Sequence, residues 1–242
     1  MHDVARSARC TACGHGLPPA AKFCPECGHA VAPSTASGAA ERLLHATTTL
    51  EGERKFVTVL FADLKGSLEL IADRDPEEVG KLLRPVVEHM CEAVEKYGGT
   101  VSQVMGDGIL ALFGAPISWE DHAVRACHAA LSMQDLIRRY SDDIQRTHGV
   151  SIQIRVGLNS GEVVLNVTGH GLAVSYTAVG LAVHLAARME QMATPGTILA
   201  TAETARLAEG HVEVRRIGPV PVKGFDQRIE VAEIGQIGRA HV

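Results

Sequence analysis

Apolar and polar positions change their period several times along this chain, and each change marks an element. Residues 56–62, FVTVLFA, form an apolar, β-rich run that ends at Asp63 and predicts a buried strand. From Asp75, DPEEVGKLLRPVVEHMCEAVEKYGG carries apolar residues at helical spacing. It opens on an Asp-Pro start signal and closes on Gly-Gly, with Pro85 placed to kink it. TVSQVM and GILALFG flank Gly106-Asp107-Gly108 and predict a hairpin. A long helix follows from about Glu120 to Thr147. The strand SIQIRVGLNS (151–160) is next, then separate strands GEVVLNV and LAVSYTAVG, a helix over 180–193 and the strand TILA. ATAETARLA makes a short helix, and VEVRRIG and RIEVAEI are late strands. The order is β-α-β-β-α-β with appended elements. It predicts an α+β fold, a ferredoxin-like antiparallel sheet with helices on one face.

The first 54 residues have a different texture. Residues 31–53 are rich in Ala, Ser, Thr and Pro and hold no period for long, which reads as a linker with a short helix near Glu41 to His45. Ahead of it, CTACGHGLPPAAKFCPECG holds two C-x-x-C pairs, Cys10/Cys13 and Cys24/Cys27. Each pair forms a knuckle that aims two thiolates at one tetrahedral ion, and four thiolates with no open position describe a structural zinc site. Two disulfides are the alternative, but a cytosol would reduce them. A ribbon over 8–30 is too short to bury a core of its own, so its fold depends on the metal. His15 and His29 are solvated neighbours. Cys91 and Cys127 fall on predicted helices among apolar residues and read as core.

The chain's 242 residues allow one to two domains, and 46% hydrophobic with 21% charged residues allows one sizeable core. A net charge of −5 excludes a broad electrostatic grip on nucleic acid or anionic lipid. No apolar run spans a bilayer and MHDVARSARC has no signal-peptide core, so the expected location is cytoplasmic.

Two acidic residues stand at strand ends. Asp63 closes the first strand and Asp107 tips the hairpin, and in such a sheet the two carboxylates can converge on a divalent ion. Lys65-Gly66-Ser67 is expected to open a helix whose N-terminal amides could receive a phosphate. On spacing alone, Asp in a Gly-Asp-Gly turn reads first as ordinary hairpin chemistry and only second as a metal ligand.

FADLKGS (61–67), QVMGDGILALFGAP (103–116), IRVGLNSGEVV (154–164) and YTAVGLAVHLAARMEQMATPGTIL (176–199) resemble, in order and spacing, the catalytic domain of class III nucleotide cyclases. The resemblance covers about Arg54 to Ile234, and the domain is placed at 54–235. It implies a dimer with active sites at the subunit interface. Each site would convert ATP, or less readily GTP, to the 3′,5′-cyclic monophosphate and pyrophosphate. It also implies two Mg²⁺ or Mn²⁺ per site, held by Asp63, Asp107 and the carbonyl of Leu64, with phosphates on the amides of Gly66 and Ser67. From the partner subunit it implies Arg188 on the developing phosphate charge and Lys223 on the terminal phosphates. Thr177 matches a base-selecting position held by Asp or Thr in adenylate cyclases. Gln103 stands where those enzymes usually have lysine, and His184 where an asparagine orients the ribose. Leu68 replaces a small polar residue.

The pair Gln103 and His184 behind a zinc ribbon resembles bacterial cyclase-like proteins that often continue into a P-loop ATPase and helical repeats. No G-x-x-x-x-G-K-[ST] run lies within residues 1–242. A degenerate cyclase module that binds nucleotide or dimerises, and so regulates a missing ATPase, is therefore the alternative function. The ribbon is expected to contact protein rather than nucleic acid, since only Arg6, Arg9 and Lys22 supply nearby positive charge. The last six residues, IGRAHV (237–242), translate a common sequencing-adapter sequence. They are expected to be a non-native tail on a fragment cut near Gln236.

Overall fold

The computed structural model describes residues 52–65, 75–170 and 173–236, with Cys13, His15, Gly16 and Glu26 ahead of them. The chain divides into two units, Met1–Thr49 and Leu50–Val242. In the first, Cys13, His15, Gly16 and Glu26 are exposed. Cys10, Cys24, Cys27, the short helix near Glu41 to His45, Gly66, Ser67 and residues 237–242 lie outside the described residues.

In the second unit the chain runs β1 (Glu53–Leu64), α1 (Pro76–Lys96), β2 (Thr100–Met105), β3 (Gly108–Phe113), α2 (His122–His148) and β4 (Ile154–His170). It continues through β5 (Ala173–Val179), α3 (Leu181–Met192), β6 (Ile198–Thr201), α4 (Ala202–Leu207), β7 (Glu213–Val220) and β8 (Ile229–Gly235). The expected start signal works as read: the Asp75 side chain accepts from the Glu77 N–H at 2.8 Å and Pro76 occupies the first turn. α1 runs through Pro85 without a break. The ring removes a bond only to Lys81, whose position is exposed and open to water.

The strand order is β2-β3-β1-β4-β6-β8-β7, with β5 paired to β4. β1 lies in the middle, antiparallel to β3 and to β4. The sheet is antiparallel but for the β4–β6 pair, which is parallel because α3 crosses between them. The two strands expected over 151–167 are one strand of 17 residues. Gly161 is no turn there. Its missing side chain makes room for the Ala182 methyl, which a Cβ would meet at 3.0 Å.

The helices do not share one face, which corrects the expectation. Leu60, Ala62 and Leu64 of β1 join the core of α1 and α2, whereas Val57 and Val59 pack with Ala182 and Ala186 of α3 on the other side. Burial on both faces is why β1 reads as a nearly continuous apolar run rather than an alternating one. Cys127 is fully buried in the first core and its thiol is pushed up to about 12 by burial. Cys91 packs against the same core. No helix among the described residues is long and apolar enough to cross a membrane.

Buried hydroxyls link these layers. His122 Nδ1 lies 2.7 Å from Thr58 Oγ1, Thr58 is 2.8 Å from Ser160 Oγ, and Ser160 is 3.0 Å from Thr204 Oγ1. Thr201 Oγ1 donates to Asn159 Oδ1 at 2.7 Å, and Asn159 Nδ2 donates to the Ala182 carbonyl at 3.0 Å. Burial holds the His122 imidazole below its ordinary 6.5, against the opposing pull of Asp121. The folded state thus takes up the proton less readily than the unfolded chain. Stability is unaffected above pH 6.5 and falls as the pH drops through the lower folded value. Urea midpoints measured across that window should decline with acidity, and less steeply in His122→Gln.

A Cβ at Gly157 would lie 2.1 Å from the Glu190 amide nitrogen and 2.4 Å from the Ala186 carbonyl, so α3 rests directly on β4. Gly157→Ala should cost about 3 kcal/mol in urea unfolding, because backbone must move. Gly80→Ala, at an exposed helical position with nothing within 4 Å, should instead gain up to about 1 kcal/mol.

Candidate active site

The end of β1 is where charge collects. In the register of the sheet Asp63 faces Gly108 of β3 on one side and Arg155 of β4 on the other. Asp107 precedes Gly108 in the β2–β3 turn, which Gly106 enters with φ 68°. The Asp63 carboxyl is raised above its ordinary value, first by burial and then by the negative charge of Asp107, while Arg155 pulls the other way. The two expected carboxylates are therefore brought within electrostatic reach of each other. Gly108 does more than turn the chain. A Cβ there would meet the Ala62 carbonyl at 2.7 Å and Asp63 Oδ1 at 2.8 Å, so only glycine clears the carboxylate. Leu64 is buried at the strand's end, and its N–H helps hold the Asp63 carboxylate.

Two further residues belong to this cluster and were not singled out from the sequence. Arg155 Nη2 lies 3.3 Å from Asp63 Oδ2 and 2.7 Å from Glu190 Oε1 of α3. The Glu190 contact is an ion pair without hydrogen-bond alignment, and Arg155 Nε is buried with no partner among the described residues. Glu190 is 6% exposed. Its carboxyl is pushed up to about 7, mainly by burial and also by the charge of Asp63, with Arg155 opposing. The available signals were an arginine at the start of an otherwise apolar run, IRVGL (154–158), and a glutamate two residues after Arg188.

Three carboxylates against one guanidinium leave two negative charges when all are ionised. That balance, with the orphaned Arg155 Nε, fits a site that receives a divalent cation and an anionic substrate. Among the described residues no three His, Cys, Asp or Glu side chains close into a cage. The donor set thus suits Mg²⁺ or Mn²⁺, which take few carboxylates and complete their shell with water and phosphate oxygens.

The other expected residues form a second group. Gln103 is exposed on β2 beside a register shift, and Thr177 is exposed on β5. The neighbouring Ser102 hydroxyl donates to the Tyr176 carbonyl and pins β2 to β5, which brings Gln103 and Thr177 onto adjoining strands. His184 and Arg188 stand four residues apart on one side of α3, and Arg188 Nη1 donates to Gln191 Oε1 at 2.5 Å. Lys223 is exposed in the β7–β8 turn, whose Val222 is buried in one cluster with Met189 of α3. Among the described residues, no hydrogen bond or ion pair joins Arg188, His184 or Lys223 to Asp63 or Asp107.

The central sheet thus carries one carboxylate at the end of β1 and another in the β2–β3 turn, with the arginine-bearing α3 packed on its other face. The family model described as the adenylate and guanylate cyclase catalytic domain matches residues 51–234, and the chain belongs to that family. A zinc-ribbon domain model matches residues 9–31, across both C-x-x-C pairs. Adenylate cyclase 1 of Rhizobium meliloti is 30% identical over 190 residues, which cover 77% of this chain and 28% of that protein. Among solved structures, the adenylyl cyclase CyaB from P. aeruginosa is 29% identical with a TM-score of 0.73, covering 78% of this chain and 98% of its own. The guanylyl cyclase Cya2 is 32% identical with a TM-score of 0.71, covering 79% and 97%. The chain thus spans under a third of the Rhizobium relative but nearly the whole of the solved catalytic domains.

Gly108→Ala should shift Asp63 and strain β1. The expected loss is about 1–3 kcal/mol in urea unfolding, with no compensating gain because Gly108 is not helical.

Proposed function

We propose that the chain is a nucleotide cyclase that forms a 3′,5′-cyclic monophosphate and pyrophosphate from ATP, and less readily from GTP, as a homodimer in the cytoplasm. The observation that carries this reading is the convergence of Asp63 and Asp107 beside Arg155, inside a domain of the cyclase family.

In this reading Asp63, Asp107 and the Leu64 carbonyl would hold two divalent cations, which would lower the pKa of the ribose 3′-hydroxyl and spread the phosphate charge. Gly66 and Ser67 give amides to the phosphates. The remaining donors come from the partner subunit. His184 orients the ribose, Arg188 presents a planar fork to two phosphate oxygens, and Lys223 meets the terminal phosphate. This assignment agrees with the two separate groups in one chain, since a dimer would supply each site with both. Gln103 donates to a ring nitrogen of the base and Thr177 accepts from its amino group. Cys10, Cys13, Cys24 and Cys27 hold one structural Zn²⁺, and the ribbon they form contacts protein. The product is an intracellular signal.

Gln103 and His184 favour a second reading, a catalytically weak module that binds nucleotide or dimerises to regulate a further domain. One assay separates the two. Purified chain with Mn²⁺ is given ATP and GTP side by side, and cyclic product is resolved by chromatography. The first reading expects cyclic AMP in excess of cyclic GMP. Asp63→Asn and Asp107→Asn should each cut the rate by ~10²-fold or more, because several kcal/mol of charge stabilisation are lost at about 1.4 kcal/mol per factor of ten. Nucleotide binding with neither product would establish the second reading.

A further inference from the structure

α3 is fastened to β4 by a matched repeat. Three β4 positions that face α3, at 155, 157 and 159, meet three α3 positions spaced by four, at 190, 186 and 182. Asn159 Nδ2 donates to the Ala182 carbonyl at 3.0 Å. Gly157 leaves the backbones of Ala186 and Glu190 in direct contact with the strand. Arg155 closes the series at 2.7 Å from Glu190. Four strand residues advance about 13 Å and eight helical residues about 12 Å, so the two elements stay in step with no bulge or kink. The Glu190 backbone is therefore held directly against Gly157 and has little freedom to move.

Arg155 is the residue this clamp acts on. Its Nη2 lies between two carboxylates, nearer to buried Glu190 than to Asp63, at 2.7 against 3.3 Å. Asp63 Oδ1 points instead to the space over Gly108, toward the Asp107 turn. If Glu190 lost its charge, Asp63 would be the one carboxylate left in contact with the guanidinium among the described ion pairs, and a bidentate Arg–carboxylate pair is the strong form of that contact. The guanidinium would then cover the oxygens that face the turn.

We propose that Glu190 is a positioning residue: it holds Arg155 back from Asp63 and so keeps that carboxylate open to a divalent cation. The proposal rests on the cyclase reading for the cation's place on Asp63. Glu190 and Arg188 lie about 200° apart around α3, so the helix face that tunes this chain's carboxylates is opposite to the one that carries His184 and Arg188.

Mn²⁺ binding to the full chain without nucleotide, read by electron paramagnetic resonance of the free ion, tests this without recourse to activity. Glu190→Gln should raise the Mn²⁺ Kd about tenfold or more, in the range seen when a partner behind a metal ligand is removed. Glu190→Asp, which keeps the charge, should recover most of the affinity. Arg155→Met removes the competitor, and in that background Glu190→Gln should add no further loss. An unchanged Kd in Glu190→Gln would overturn the role of Glu190 alone. So would an equal loss in the Arg155→Met background, which would mark a merely structural effect. Wild-type chain that binds no Mn²⁺ would overturn the cation site on Asp63, and with it both this proposal and the two-metal reading.

Discussion

The contact on which the domain's chemistry depends is the seating of α3 against β4 at Gly157. With hydrogen as its side chain, the strand lets the helix backbone approach closer than any Cβ would allow. That approach carries Glu190 to Arg155, and Arg155 to Asp63. It also fixes the helix side that bears His184 and Arg188, and it anchors Met189 where the β7–β8 turn can dock through Val222. A packing contact between two backbones thus sets the position of charged groups drawn from β1, β4 and α3.

The electrostatics of the cluster follow from that geometry. Burial raises the Asp63 and Glu190 carboxyls, and each is raised further by a neighbouring carboxylate. Arg155 offsets only part of this, because one guanidinium faces three acids. Groups arranged this way cost stability, and carboxylates perturbed by burial and by a neighbouring charge are characteristic of functional sites. The buried hydroxyl chain from His122 to Thr204 has the opposite character. Its members satisfy one another, and it serves to hold α2, β1, β4 and α4 in register.

Much of this was legible in the sequence, for reasons that differ by element. β1, α1 and the β2–β3 hairpin announce themselves through local signals: an apolar run, an Asp-Pro cap, a Gly-Asp-Gly turn. Asp63 and Asp107 stand out because each sits at the end of such an element. Gly161 misled, because a glycine that admits a neighbouring helix looks the same in sequence as one that turns the chain. The face chosen by α3 was misread because the ferredoxin-like order alone does not say where an appended helix lies. The two-sided apolar character of β1 already required cover on both faces. Arg155 and Glu190 stayed hidden because their pairing spans 35 residues of sequence and depends on a strand–helix register that no local pattern encodes.

The departures from the family pattern fall in a revealing place. Gln103 and His184 are exposed, and their side chains are not part of the packing that holds the sheet and α3 together. Replacing such residues costs the fold little. Asp63, Arg155 and Glu190 are at least partly buried and mutually charged, and a domain relieved of metal chemistry would gain stability by exchanging them for apolar residues of similar volume. Their presence together, beside a glycine that clears Asp63, is a standing cost in stability. The charged cluster therefore sits where the fold bears its cost, and the residues that depart from the family pattern sit where the fold bears almost none.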